Sequence, residues 1–596
     1  MKRILSLLLV AVVTACGPAP RKPAAPVEVF TRHWHEAIYR EDVPEQAEVG
    51  AEVQLFATPG EYEPASIGVR AEVSLSKARW SVSPLRGPGD LVIQPDRFDW
   101  RFTEYIDPAQ YDPFRRWIRS KEHPLQPGFL QPAKPIEIAA GNAQQFWLTV
   151  HVPDDAAAGT YRGTLTFEAD GTTPQTLPIS LHVYGFKLQE VRASMFAAGD
   201  NWPLLESTFA DDRAHGMNTV LVNPGHLKVA GVYRDGQFTF PGLSEKVAEV
   251  VKLARSQGLG LDHEIGITMH HHLARSAVAA LDAAGIKNPE VEGGFDDRED
   301  YSIFYEKEQG VELNERFRGT YYPAPTPYLP PTTEYGKLLY RGWIAAFRQL
   351  DSDARVNGWP KLWYWLTDEP HVNRGRLRSA LTMCLAAQDA GATSLITCNE
   401  PTVSEPDPEK LWYRAIGDEP DLRLAPFLKS RCYYNAYLSE ETLERTRAAG
   451  GVYGAYVNIY GNQPASVRFQ TGMLAYRLTL DLIMMWSYPS VGTDPEKGPR
   501  AYLRDWEAVR EGIDDLKYFE ALQRAAQDER APLDKRIDAK TLLDELRRDI
   551  PTNVRAVGFV DSFTGEWVRG KETWKADRFE STRRRVAQAI EGLLGR

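Results

Sequence analysis

Cysteine is scarce: the 596 residues hold four, at Cys16, Cys384, Cys398 and Cys432. No CxxC spacing occurs, so a zinc cage finds no ligand pattern. The last three form an odd set that cannot pair fully within one chain, and they are expected to be buried reduced thiols. A basic excess is also missing. Lys plus Arg number 70 against 81 Asp plus Glu, a net charge of −11, which disfavours a nucleic-acid partner. No GxGxxG turn or P-loop is present. Beyond the first residues, no stretch approaches the ~20 apolar residues that a membrane span needs. Rings, by contrast, are plentiful, with 15 Trp, 26 Tyr and 23 Phe. Such a content fits a large core and fits a carbohydrate cleft equally well. The length itself suggests roughly three to five domain-sized units.

The N-terminus reads MKRILSLLLVAVVTAC. Lys2 and Arg3 precede an apolar run over 4–13, and small residues then lead to Cys16. This order is that of an export signal. Val13-Thr14-Ala15-Cys16 resembles a bacterial lipobox, so residues 1–15 are expected to be a signal peptide and Cys16 the lipidated first mature residue. The Pro-rich stretch up to 27 reads as a spacer. The expected location is the bacterial cell envelope, with membrane contact only through the lipid.

From 28 to 188 the pattern is all-β. Segments 65–71, 145–152, 160–168 and 176–183 alternate apolar and polar residues, the period of strands with one buried face. A β-sandwich is expected there. From 189 to 530 strand-like runs alternate with helical ones. The runs lie at 194–198, 219–223, 260–267, 361–367, 394–398, 430–436, 451–459 and 481–487, with helices expected over 243–256, 335–350 and 374–390. Eight such repeats predict a (β/α)8 barrel, with a doubly wound open sheet as the alternative. The span 288–333, following the third strand, is too long for an ordinary connection and is expected to overhang the barrel mouth as a lid. Amphipathic helices are expected over 535–549 and 575–594 in a helical tail covering 531–596. Arg583-Arg584-Arg585 reads as a solvated face.

The sharpest chemical signal is Lys361-Leu-Trp-Tyr-Trp-Leu-Thr-Asp-Glu-Pro370. An apolar strand ends in Asp368 and Glu369. Mid-strand the two side chains would point to opposite faces, but at a strand's end the chain is turning and both can reach the barrel mouth. Pro370 keeps Glu369 extended. Barrel active sites lie at this C-terminal face. Neighbouring carboxylates oppose each other's ionisation, so one tends to keep its proton, and a protonated acid beside an ionised one suits glycoside cleavage. The usual retaining mechanism needs a second carboxylate ~5 Å away as nucleophile. The seventh strand, 451–461, carries none. That absence favours a nucleophile supplied by a 2-acetamido group of the substrate, oriented by Asp368, while Glu369 protonates the leaving oxygen.

Glu61-Tyr-Glu-Pro-Ala-Ser66, Trp365 to Pro370, Gly461-Asn-Gln-Pro464 with Arg468 and Trp486, and Trp506 to Asp515 with Tyr518 together resemble glycoside hydrolase family 123 and the related domain-of-unknown-function family 4091. The resemblance covers nearly all of the mature chain. It implies a β-N-acetylgalactosaminidase-like enzyme acting by substrate assistance, with Glu369 as general acid/base and Asp368 as the amide-stabilising residue. The sequence departs from that pattern at Met484-Met485-Trp486, where tryptophan is usually richer.

Trp365, Tyr456, Asn458, Tyr460 and Trp486 are candidate sugar-binding residues, since rings stack on sugars and amides bind hydroxyls. Asp200 and Trp202, after the first strand, are further candidates. Arg510, Glu511, Asp514 and Asp515 either pair or pack on a helix under the barrel rim or prop the catalytic loops. Glu400, within Cys398-Asn399-Glu400-Pro401, gives a second enzymatic reading, a two-carboxylate glycosidase. A silent glycan-binding lipoprotein is the non-enzymatic one. His270-His271-His272 suggests metal, but adjacent residues cannot all face one ion from a regular element and no HExxH accompanies them. Neither a metal nor another cofactor is expected, and the expected partner is a glycan substrate.

Overall fold

A computed structural model describes residues 23–107, 123–198, 206–222, 230–260, 263–269, 272–287, 331, 333–367, 383–398, 430–434, 438–459, 463–486, 493–494, 498–499, 502–552, 554, 557, 559–560, 567–568 and 574–595. The predicted lid apart from 331 and 333, Cys16, Asp200, Trp202, His270, His271, Asp368, Glu369, Glu400 and Tyr460 lie outside these residues.

The N-terminal part is built from two sheets. The first runs β1 (Val27–Thr31), β3 (Tyr62–Ala71), β10 (Asn142–His151), β7 (Phe98–Ile106), β8 (Gln126–Pro132) and β23 (Tyr502–Leu503), all antiparallel. The second runs β2 (Val53–Ala57), β12 (Gln175–Val183), β11 (Gly159–Glu168), β4 (Leu75–Val82) and β9 (Ile136–Ile138), with β5 (Leu85–Arg86) and β6 (Val92–Ile93) at its side. Val69, Phe146 and Leu148 of the first sheet share one core with Leu165, Leu177 and Leu181 of the second.

Burial follows the expected alternation along β11 and β12. It does not along β3 and β10, which are buried on both faces. The reason is packing: Phe146 and Leu148 face the second sheet, while Trp147 joins the core of the following domain.

That domain is an eight-stranded parallel sheet. Its strands are β13 (Ser194–Ala198), β14 (Leu221–Val222), β17 (Ile265–Thr268), β18 (Leu362–Thr367), β19 (Thr393–Cys398), β20 (Ser430–Tyr434), β21 (Tyr453–Asn458) and β22 (Leu482–Trp486). A hairpin of β15 (Val232–Arg234) and β16 (Gln237–Thr239) lies after the second of them. The order is β13-β22-β21-β20-β19-β18-β17-β14, so from β14 onward every strand sits beside its successor in the sheet. A doubly wound sheet would reverse order part-way. The ends meet, because Asn218 and Thr219, entering β14, donate backbone N–H groups to Met195 O on β13 at 3.0 and 3.2 Å. The result is a nearly closed barrel.

Helices cover the outside. On α1 (Glu206–Ala214) Thr208, Phe209, Asp211 and Asp212 are buried. On α2 (Leu243–Ser256) Leu243, Val247, Val250, Val251 and Ala254 form one apolar stripe, the i, i+4, i+7 pattern of a helix on a core. The helix α3 (Glu334–Asn357) starts where the Thr333 side chain accepts from Gly336 N, and it ends at Gly358 in the left-handed conformation, φ 61°, which favours glycine. The expected helices 243–256 and 335–350 are thus present, and 383–390 of the third is helical. Behind the barrel lie α4 (Arg504–Gln527), α5 (Leu533–Asp549) and α6 (Ala576–Leu593). Gly512 on α4 allows a close approach: a Cβ there would stand 2.6 Å from Arg468 O beside the π-helical turn Phe469–Leu474. Among the described residues no helix is long and apolar enough to cross a membrane. Cys384 and Cys432 are buried, as expected.

Candidate active site

Alternation along the barrel strands decides which side chains face inward. Trp363 and Trp365 of β18, Leu395 of β19, Cys432 and Tyr434 of β20, Tyr456 of β21, Leu482 and Met484 of β22, and Phe196 and Ala198 of β13 form one interior cluster. Leu362, Tyr364 and Leu366 belong instead to the outer core under the helices. Gly266 on β17 makes room inside, because a Cβ there would collide with the Trp363 ring. The deeper layer is closed by Phe196 against Trp363, ring centroids 5.1 Å apart.

Towards the C-terminal ends the interior becomes more polar. Trp365 meets Trp486 edge-on at 6.4 Å, and Tyr434 lies 5.4 Å from Tyr456. The Trp365 indole N–H donates to Thr397 Oγ1 at 3.3 Å. Register sets Asn458 beside Trp486, and both are only partly buried, whereas Trp365, Tyr434 and Tyr456 below them are buried. Asn458 and Trp486 therefore top this wall. Four predicted residues, Trp365, Tyr456, Asn458 and Trp486, are thus brought to the same end of the barrel. Sequence reading missed Thr397 and Tyr434, although each stands two residues after an inward side chain, Leu395 and Cys432, and so on the same face of its strand.

The strand β18 ends at Thr367, the residue before Asp368. Its pairing with β19 slips there: Trp365 pairs with Leu395 and Thr367 with Ile396, so two steps on β18 match one on β19. A bulge of this kind changes the side-chain phase at a strand's end, and bulges recur beside active sites.

The cluster on α4 is elsewhere. It is buried where the barrel's outer side meets the N-terminal sheets and α6. Arg583, expected to be solvated, is 1% exposed. It donates to Asp515 Oδ1 at 2.6 Å and Glu511 Oε2 at 2.9 Å, and lies 3.4 Å from Glu63 Oε2 and 3.9 Å from Glu61 Oε1. Arg468 grips both oxygens of Asp515 at 2.8 and 3.1 Å and donates to Glu580 at 2.7 Å. Tyr518 donates to Glu61 at 3.0 Å. Arg510 pairs with Glu507 and lies over the Tyr62 ring, and Asp514 pairs with Lys517 at 2.8 Å. Trp506 donates to Asp211 at 3.0 Å and stacks on His215, whose Nε2 is 3.2 Å from Glu507.

The charge balance there explains the protonation. Burial pushes Glu61 up to about 7 and Glu511 up to about 8, despite Arg583 near both. Burial, with Glu511 beside it, also raises Glu63. Glu507 goes the other way: burial opposes its charge, but Arg510 and the His215 hydrogen bond outweigh it and hold it at about 2. A cleft of about 370 Å³, lined by Tyr62, His151, His215, Glu507 and Arg510 among others, opens along this seam. Glu61, Glu63, Arg468, Trp506, Glu511, Asp515 and Tyr518, which carry much of the sequence resemblance, thus hold the parts of the molecule together at the seam. Among the described residues no group of three His, Cys, Asp or Glu has a metal-binding arrangement.

Residues 36–169 match the family described as "Glycoside hydrolase 123 N-terminal domain". A family 123 glycoside hydrolase from Clostridium perfringens, described in connection with glycolipid glycan hydrolysis, superposes with a TM-score of 0.60 at 11% identity, covering 95% of this chain and 98% of that one. The chain is similar to glycoside hydrolase family 123. The likeness of this family-123-like chain to a Bacteroides cellulosilyticus family 39 glycoside hydrolase is weaker, with a TM-score of 0.33 at 12% identity over 74% of this chain and 81% of that one. No curated protein matches its sequence.

Proposed function

We propose that this chain is an exported, lipid-anchored glycoside hydrolase, with two facing N-terminal sheets read as a β-sandwich, acting at the C-terminal rim of its (β/α)8 barrel. The observation that carries the reading is the strand pair bounding that rim. The strand β18 ends one residue before Asp368-Glu369, and β21 offers Tyr456 and Asn458 but no acid. The sequence adds no acid through Gly461. The family-123 N-terminal match supports the same enzyme class.

The reaction we infer is hydrolysis of a terminal β-linked N-acetylhexosamine with retention. Asp368 orients and polarises the acetamido group, whose oxygen attacks the anomeric carbon as Glu369 gives a proton to the leaving oxygen. An oxazoline forms. Glu369 then takes a proton from water, which opens the oxazoline at the same carbon, and the configuration is retained. Trp365, Tyr456 and Trp486 supply ring surface for the sugar, and Asn458 an amide for a hydroxyl.

The test is turnover of a chromogenic β-N-acetylhexosaminide. Glu369→Gln is expected to lose at least ~100-fold in kcat, and Asp368→Asn to be similarly crippled, while the wild type is blocked by an N-acetylhexosamine thiazoline. Near-normal turnover by Glu369→Gln defeats the assignment. Equal turnover of a glycoside lacking the acetamide defeats substrate assistance and leaves the two-carboxylate reading with Glu400.

A further inference from the structure

The edge of the N-terminal β domain, where the chain crosses from β8 to β9, holds a crevice of about 190 Å³. Trp80, Trp100 and Phe102 give it an aromatic lining, and Arg79, Arg101 and Lys134 surround them. No carboxylate lines it among the described residues. That is unusual on a chain whose net charge is −11.

The rings are held in place by the core. The Trp80 and Trp100 indoles lie nearly parallel, 8° apart in tilt with centroids separated by 5.8 Å. Trp80 also packs on Phe167 at 5.4 Å. Register fixes the two tryptophans independently, since Trp100 pairs with Leu148 on β10 and Trp80 with Phe167 on β11. The cations are differently placed. Arg79 is tied outward to Glu168 at 2.8 Å and Arg101 to Asp99 at 2.7 Å. Lys134 is exposed, makes no ion pair among the described residues, and sits 5.7 Å from the Phe102 ring centroid.

A preset aromatic surface with a cationic rim recognises a ring that has an apolar face and carries an acid group. Sugar rings present C–H faces to aromatic side chains, and a guanidinium or ammonium answers a carboxylate or sulfate. The volume is below the ~300 Å³ of a drug-sized pocket, which suits a single ring. We propose that this crevice is an accessory site for an acidic sugar unit, carboxylated or sulfated, of the glycan on which the barrel acts. The glycan context rests on the function proposed above; the charge and ring arguments do not.

Calorimetric titration of the full chain with trigalacturonate tests the proposal, with sulfated lactose as a second arm and maltotriose and triglutamate as controls. At least one acidic sugar is expected to bind, at least ~10-fold more tightly than maltotriose or triglutamate, and to weaken as salt screens the charges. Lys134→Glu, an exposed change that leaves the barrel untouched, is expected to weaken that binding at least ~10-fold while chromogenic turnover stays at the wild-type value. Glu369→Gln is expected to bind the acidic sugar normally. Binding that is unchanged in Lys134→Glu, matched by maltotriose or by triglutamate, or absent for both acidic sugars overturns the site. Acidic-sugar binding that meets these criteria in a wild-type chain that turns over no chromogenic β-N-acetylhexosaminide tells against the barrel assignment alone.

Discussion

Arg583 shows what one position can carry. Its guanidinium, on α6, faces four carboxylates: Glu61 just before β3, Glu63 within it, and Glu511 and Asp515 on α4. Removing one partner of a buried ion cluster leaves the others uncompensated, which costs about 3–5 kcal/mol. Arg583→Met is therefore expected to lower unfolding stability by about that much in a urea titration at pH 7. Arg585→Met, which breaks only the exposed pair with Glu545, is expected to cost under ~1 kcal/mol. Equal costs for the two would show that the buried cluster is not holding the seam. The two arginines are neighbours in one run, and nothing in the triplet itself tells which is inward. A helix turns 100° per residue, so three consecutive side chains point in three directions, and the phase is set by buried apolar residues of α6 such as Phe579, Val586 and Ile590. The inward residues of the barrel wall were easier to read, because Trp365, Tyr456 and Trp486 sit in short strands where alternation alone fixes the face.

Single strands and helices inherit their environment from what covers them. Alternation is readable in β11 and β12 because one face of that sheet stays accessible. It fails in β3 and β10 because the barrel covers the second face, and polar residues there, Glu61 beside β3 and Glu63 within it, are answered by charges from α4 and α6. No local pattern in β3 announces those partners, which lie more than 400 residues away in the chain. Their titration gives this seam a pH signature. Unfolded glutamates titrate near ~4.3, so above that pH the unfolded chain has released protons that folded Glu61, Glu63 and Glu511, all raised by burial, still hold. His215, raised by Asp211 and Glu507 against its burial, acts in the same sense. With more protons bound in the folded state, stability falls as pH rises. The Tm is expected to be highest near pH ~5 and to drop steadily to about pH 8, where Glu511 has titrated. Glu507, held at about 2, supplies the opposite slope below ~4.3. A thermal melt series from pH 5 to 8.5 checks this, and a flat or rising Tm would contradict it.

At the scale of the whole chain, the order of strands was legible because each barrel repeat is a local unit, and eight local units in series close on themselves. What the sequence did not announce is that the barrel and the preceding sheets are built around one core. Trp34, Phe56, Leu130, Trp147, Tyr184 and Phe186 pack in the same cluster as Met195, Val509, Phe519 and Phe579. Chain from beyond the last barrel strand returns to the first sheet, where Tyr502 and Leu503 pair with Leu130 and Phe129. A fragment beginning at 189 would therefore lose an edge partner, uncover apolar side chains each worth about 2 kcal/mol, and strand Arg583 without Glu61 and Glu63. It is expected to be insoluble or to lack a cooperative transition, while the intact chain unfolds in a single calorimetric endotherm. A fragment that melted cooperatively at the temperature of the full chain would mean the seam is a contact between two finished domains. The shared cluster argues for the other outcome, in which the rim of the barrel is held in shape by residues that fold only when the sheets are present.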